Sequence, residues 1–551
     1  MVGSVGGAKI RHLTQRVLVI WNERGKTFSV PGKVSLSSSF ICRRKEMVVS
    51  KYPSRASPIF PCIGLLAIFS LTGTALLFLL HKVEKTKTVT GHNLEPTPWH
   101  PFAQGGSIGA STILRCSFLL TCDHTTPSTS QGNQQQQEEQ GQGHRLPSSP
   151  SSCPSFFRWI HHDLAPWTHS RISISNLMEA REYAAFRVII AGGRLYADFY
   201  YACVQSRAMF TVWGLLQLLR RHPGRIPDVD LMFDCMDKPT ISRSQYNTPA
   251  RPPPPLFRYC TTDHHFDIPF PDWSFWGWTE VNIGPWDEEF RSIKEGSQAL
   301  DWTEKHPTAH WKGNPDVDSP VRTKLLHCND SRSWGAEIMR QNWAEEAKFG
   351  FEQSKLSRQC DHRYKIYAEG YAWSVSLKYI ISCGSLALMI HPQYDDFFSR
   401  GLVPRKHFWP VSPTNLCPSI KFAVDWGNEH PFEAEAIGKR GQHFVQDLNM
   451  ERVYDYMYHL VMEYSKLQDF KPVPPPSAQE MCEESLLCFA DPKQRKFLKK
   501  SYATPSLPCT LPLPDHRLVE RWIQEKQEII NGVEKLEKKA NLKAKHIKPS
   551  I

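Results

Sequence analysis

The sequence predicts an α/β protein with two Rossmann-like lobes. Three observations carry that prediction. Short apolar strands such as "VDLMFD" alternate with amphipathic helices such as "AMFTVWGLLQLLRRHPG". The alternation runs from residue 156 to 508 without a comparable break, a length that suits two lobes. Hydrophobic residues make up 40% of the chain and there are 17 Trp, ample for a large core. Strands alternating with helices fold as parallel sheets flanked by helices.

The elements follow in order. Residues 1–58 are basic and read as a cytosolic segment, with Met47 an alternative start. "IFPCIGLLAIFSLTGTALLFLL", residues 59–80, carries no charge over 22 positions. As a helix it would measure about 33 Å, enough for a bilayer core of roughly 30 Å. Arg43, Arg44, Lys45, Lys51 and Arg55 precede it, so the positive-inside rule sends the C-terminal bulk across, as a single-pass type II anchor. Residues 81–155 are rich in Gln, Gly, Ser and Pro, the composition of a disordered stem. The catalytic-size body spans 156–508. "ISNLMEAREYAAF" reads as a helix with Ser175 as its cap. "RVIIAGGRLYADF" reads as strand, turn and strand. "HRYKIYAEGYAWSVSLKYIISCGSLALMIHP" reads as strand, glycine turn, helix and strand. Residues 509–551 form a helical tail, with Leu518, Trp522, Ile529, Val533, Leu536 and Ala540 at helical spacing.

Charge placement excludes a nucleic-acid binder. Of the formal +11, +9 lies in 1–58 and +3 in 515–551, so the body is close to neutral. Thirteen of the 15 Cys follow the apolar segment, in a compartment that permits disulfides, and no CxxC pair occurs. "NDS" at Asn329 is the one N-glycosylation sequon.

Four stretches carry candidate chemistry. In "DLMFDCMDKP", Asp234 and Asp237 follow a buried strand, where α/β folds bind ligands. They could be metal ligands, a general base or the polar end of a strand. Neither "DVD" (228–230 and 316–318) lies where a strand would present it to a cation, so no metal is expected. "PFPDWSFWGWTEVNIGPW" packs Trp273, Phe275, Trp276, Trp278 and Trp286 into 14 residues. Such faces suit sugar rings, or simply a core. "HWKGNPDVDSPVR" offers Lys312, Gly313 and Arg322 to a phosphate. "YAEGYAWSVS" places Gly370 between a strand and a helix, with Ser374 and Ser376 as hydroxyl donors.

Together "DVDLMFDCMDKPTI", "PPLFRYC", "FPDWSFWGW", "HWKGNP", "HRYKIYAEGYAWSVSLKYI", "DFFSRGLVP", "SIKFAVDWGNEH" and "VYDYMYHLVMEY" resemble glycosyltransferase family 90, the Rumi-type protein O-glucosyltransferase and fungal capsule-associated xylosyltransferase family, over about residues 165–505. The expected match is its plant branch. The resemblance implies a GT-B-like fold with a cleft between the lobes, a UDP-sugar donor carrying glucose or xylose, no metal cofactor and an inverting reaction onto a hydroxyl of a protein or glycan in the ER or Golgi. It implies Asp237 as base, and Trp273, Ser274, Phe275, Trp276 and Gly277 as acceptor and sugar contacts. Lys312, Gly313 and Arg322 would lie near the diphosphate, and Gly370, Ala372, Trp373, Ser374 and Ser376 would form the nucleotide turn. Ser376 stands where animal members are expected to carry Arg; Leu377 and Gly384 replace the Glu and Asp expected in plant members. No KDEL-like signal ends the chain, so retention would rest on anchor and stem. Two other readings compete: a non-catalytic, membrane-tethered lectin or scaffold of the same fold, and a metal-dependent GT-A transferase.

Overall fold

"FRVIIAGGRLYADF" folds as a hairpin of β1 (Phe186–Ala191) and β2 (Arg194–Phe199), paired antiparallel. Its turn residues Gly192 and Gly193 have φ of 57° and 76°, the paired positive values of a two-residue turn matched to strand twist. β3 (Val229–Phe233) lies antiparallel on the far side of β1. β4 (Phe257–Arg258) and β5 (Ile268–Pro269) continue parallel from it. The computed structural model describes Phe102, Arg115, Cys116, Cys122 and residues 151–246 and 251–547, with side chains to 542.

The second sheet is wholly parallel. It comprises β6 (His306–Gly313), β7 (Ala336–Arg340), β8 (His362–Tyr367), β9 (Leu386–Ile390) and β10 (Trp409–Val411), in the order β10-β9-β8-β6-β7. β11 (Gln479–Met481) returns to cover the β2 edge of the first sheet, giving β11-β2-β1-β3-β4-β5. The protein is thus a mixed α/β fold with two sheet regions. The first sheet departs from the expected parallel form. A two-residue glycine turn can only send the chain back antiparallel, whereas a parallel neighbour needs a crossover of a dozen residues or more.

The parallel sheet is buried on both faces, as its apolar strands require. Tyr364, Ile366, Leu388 and Trp311 join one core, while Tyr367, Ala387 and Met389 join a larger core shared with the first sheet. Helix α1 (Ile174–Glu179) is capped by Ser173, whose Oγ accepts from Asn176 N at 3.1 Å. The expected cap, Ser175, lies inside the helix. α2 (Arg207–Arg221) ends just before Pro223 and packs on the 3₁₀ turn at Trp273–Phe275. α3 (Ser376–Ser382) follows β8, and α4 (Met450–Ser465) crosses back to the first sheet.

The C-terminal α5 (His516–Ile547) docks on the body through Val519, Val533 and Glu537. Glu537 Oε1 accepts from Ser419 Oγ at 2.6 Å, and Lys526 Nζ donates to Arg400 O. Leu536, expected on that face, is 44% exposed. A neighbour one position from Glu537 is rotated about 100° around a 3.6-residue helix.

Among the described residues there are six cystines: Cys116–Cys488, Cys122–Cys482, Cys153–Cys509, Cys203–Cys235, Cys328–Cys417 and Cys360–Cys383. The first three fasten points of the stretch expected to be a free stem onto the body. Phe102 reinforces this, meeting Phe199 edge-on at 5.2 Å. Among the described residues, no helix is long and apolar enough to cross a membrane; the segment 59–80 lies outside them.

Candidate functional site

The two acids after β3 have different environments. Asp234 is 1% exposed; it pairs with Arg258 and accepts from Tyr201 Oη. It is the strand's polar terminus, fixed in place. Three residues on, the chain has turned outwards, and the Asp237 side chain is 33% exposed. Arg207, the first residue of α2, donates through Nη1 to Asp237 Oδ1 and to Cys235 O, both at 2.8 Å. Its guanidinium also lies over the Trp273 ring, 4.2 Å from the centroid. The Cys203–Cys235 cystine joins the segment before α2 to the Asp234–Asp237 loop. Cys260, a buried free thiol, donates to Asp237 O at 3.2 Å. A carboxylate held on one oxygen, with its other oxygen free of hydrogen bonds among the described residues, can accept a proton from an incoming hydroxyl.

Facing it, at the C-terminal ends of the parallel strands, is a half-buried cation. Arg322 donates to Asn314 O at 2.8 Å, to Ala368 O at 3.1 Å and to Ser374 Oγ at 3.2 Å. Among the described residues it has no carboxylate partner within ion-pair distance. Burial pushes its guanidinium below its usual range. Ser374 Oγ and Ser376 Oγ lie 2.9 Å apart, and Tyr367 Oη accepts from Ser374 N. Glu369, beside this turn, accepts from Gln393 N and Tyr394 N, and burial pushes its carboxyl up to about 7.

Both sides line one cavity of about 350 Å³, shared by Asp237, Arg207, Trp273, Trp278, Lys312, Gly313, Arg322, Gly370, Ala372, Trp373, Ser374 and Ser376. Among the described residues the buried Trp273 and Trp373 indole N–H groups have no partner, leaving two donors for a polar ligand.

Four expected contacts do not reach the cavity. Ser274 Oγ accepts from Lys378 Nζ at 2.7 Å, which ties the tryptophan-rich loop to α3. Phe275 is fully buried between Trp286 and Phe397. Trp276 donates to Tyr454 Oη at 2.9 Å and lies on Gly214 of α2, where a Cβ would meet its ring at 2.3 Å. Gly277 turns at φ 128°. Most of this aromatic cluster is therefore core, because a 3₁₀ turn at Trp273–Phe275 sends successive side chains inwards. Lys312 reaches the cavity wall, but its ammonium is taken by Glu346 Oε1 at 3.2 Å and Gln353 O at 2.8 Å.

The sequence reading missed Arg207, absorbed into an amphipathic pattern, and His310 and Lys365, in the middle of strands. No local motif marks them; only the pairing of strands and loops brings them to the cavity. Asn329 is exposed, and its Oδ1 accepts from Ile338 N at 2.8 Å, leaving Nδ2, the nitrogen a glycan would take, unbonded.

Each of the candidate carboxylates has an arginine partner. Asp230 and Asp316, from the two DVD triplets, pair with Arg187 and Arg340, and Asp234 and Asp237 pair with Arg258 and Arg207. Cys153, His459 and Cys509 come together elsewhere, but the two sulfurs form a cystine.

The chain is 25% identical over 340 residues to an O-glucosyltransferase rumi homolog of Aedes aegypti, covering 59% of this chain and 81% of the relative. It is 25% identical over 344 residues to Protein O-glucosyltransferase 1 of Homo sapiens, covering 59% and 83%. The Drosophila melanogaster O-glucosyltransferase rumi matches at 23% over 338 residues, 59% of this chain and 80% of that protein. These relatives are insect and mammalian, which overturns the expected placement in a plant branch. The family model described as Glycosyl transferase family 90 matches residues 148–537, and the chain belongs to that family of glycosyltransferases.

Proposed function

We propose that the protein is an inverting, UDP-sugar-dependent transferase with a GT-B-like pair of lobes, moving glucose or xylose to a hydroxyl of a protein or glycan in the secretory pathway. One observation carries this reading: a single cavity holds a base-competent carboxylate, Asp237, and a half-buried cation, Arg322, without a carboxylate partner among the described residues. The donor's diphosphate takes Arg322 and the Ser374 hydroxyl. Its sugar then lies towards Asp237, against Trp273 and Trp278. The acceptor oxygen attacks the anomeric carbon from the face opposite UDP, its proton passes to Asp237, and the bond to the diphosphate oxygen breaks. A positioned base of this kind contributes about 10²–10⁴-fold. Arg322 and the indole and hydroxyl donors stabilise charge on the departing UDP without reorganising. Arg207 fixes the carboxylate's orientation. The segment 59–80 anchors the chain with its body in the lumen, and Asn329 is the glycosylation site.

The test uses the full chain in detergent against a panel of UDP-sugars with EDTA, following UDP release and saturable binding. Release with one sugar, undiminished by chelator, is expected. Loss of all turnover in EDTA would favour the metal-dependent reading, and folded protein that binds no nucleotide would favour the lectin or scaffold.

A further inference from the structure

The deep end of the cavity holds a pair of nitrogen groups that the mechanism leaves unused. Lys365, on β8, and His310, on β6, are neighbours in register and both line the cavity. Both are about 95% buried, at 4% and 5% exposure. Lys365 Nζ lies 2.9 Å from His310 Nδ1 and 2.6 Å from Gln359 O.

An ammonium only donates, so His310 Nδ1 must accept, and the ring proton sits on Nε2. Among the described residues Nε2 makes no hydrogen bond. Lys365 spends two of its three N–H bonds, and its ammonium has no carboxylate within ion-pair distance. Burial pushes His310 down to about 2, so the imidazole is neutral, and pushes Lys365 down to about 7, so Nζ is the ammonium that fixes this tautomer below that pH. This end of the cavity presents donors and asks for acceptors.

Position identifies the acceptors. Arg322 binds the carbonyl of Ala368, three residues beyond Lys365, so the pair lies about 10 Å deeper along the strand direction. Asp237 belongs to the other sheet region. If Arg322 and Ser374 take the diphosphate, the sugar lies on the Asp237 side and the nucleobase on the His310 side.

We infer that His310 Nε2–H and the Lys365 ammonium read the carbonyl edge of the donor's base, selecting a pyrimidine dione, uracil, over cytosine, whose 4-amino group would meet a donor with a donor. This rests on the nucleotide-sugar reading above. Gln341, whose buried Nε2 also lines the cavity without a partner, is a further donor nearer the strand ends.

The test is calorimetric titration of the full chain in detergent with UDP and with CDP, for wild type, His310→Phe and His310→Gln. Wild type is expected to prefer UDP by at least about tenfold, the scale of one well-placed buried hydrogen bond against an unmatched pair. His310→Phe keeps an aromatic ring but loses the N–H; it should weaken UDP about tenfold and CDP by less than about threefold. His310→Gln restores an N–H and should recover part of the preference. Equal affinity of wild type for UDP and CDP, or an unchanged ratio in His310→Phe, would overturn the assignment while leaving nucleotide binding intact. If wild type binds neither nucleotide, the donor reading falls as well. Should His310→Phe fail to fold, the wild-type ratio and His310→Gln still decide.

Discussion

The two sheet regions treat buried charge in opposite ways. Around the mixed sheet three acids each have an arginine, Asp234 with Arg258, Asp237 with Arg207 and Asp230 with Arg187, and Asp272, beside Trp273, has Lys378. Around the parallel sheet half-buried Arg322 and buried Lys365 lie among carbonyls and hydroxyls, with no carboxylate in ion-pair range among the described residues. A compensated charge has its geometry fixed before any ligand arrives. An uncompensated one lowers the cost of bringing in an anion or a carbonyl oxygen. On the proposed reading, the first region aims a base and the second takes up a nucleotide.

Removing the aimed base should have the largest effect. Asp237→Asn is expected to cut transfer by about 10²–10⁴-fold while UDP affinity stays within about twofold. Wild-type turnover in that variant, measured as UDP release with acceptor, would break the division of labour at its strongest point. Removing the unpaired cation should act on the other quantity. Arg322→Met is expected to weaken UDP binding by about 10–100-fold, the scale of charge-assisted hydrogen bonds. Calorimetry gives the affinity, and a melting curve separates that loss from loss of Arg322's bonds to Asn314 and Ala368.

A pH series on stability sharpens the same contrast. Lys365 has a folded pKa of about 7, well below the roughly 10.4 of an unfolded lysine. Between those values the unfolded chain holds a proton that the folded chain has released, so this group's contribution makes stability rise with pH from about 7 to 10. Lys365→Met should show a shallower rise over that window and a higher melting temperature at pH 7 than wild type. Parallel curves for the two proteins would mean that the ammonium is not paying a desolvation cost. The smallest effect is expected at Lys312, whose ammonium already has Glu346. Lys312→Met should change UDP affinity by less than about threefold, as for a partly exposed ion pair. A drop like that of Arg322→Met would show that Lys312 leaves Glu346 for the ligand.

Much of this was legible in the sequence where the signal is local. The Gly-Gly hairpin and the β8–turn–α3 unit each follow from a short pattern, whereas Asp237, Arg322 and Ser374 were singled out as site residues by the family resemblance. The mixed sheet was not, since strand order is set by pairing between distant segments. The tryptophan-rich loop misled for a related reason: indole suits a sugar and a core equally, and only the 3₁₀ turn at Trp273 decides which rings face the cavity. His310 and Lys365 look like ordinary strand residues until β6 and β8 are set side by side.

Three cystines join residues before Ser155 to residues after Met481: Cys116–Cys488, Cys122–Cys482 and Cys153–Cys509. Their consequence lies in time. Cys153 and Cys509 are 356 residues apart, and at a synthesis rate of about 5–20 residues per second the earlier thiol waits roughly 20–70 s for its partner to be made. The fold therefore closes only after almost the whole chain has emerged, and in an oxidising compartment. A fragment begun at Phe156 would leave Cys482, Cys488 and Cys509 as orphan thiols, free to link one copy to another.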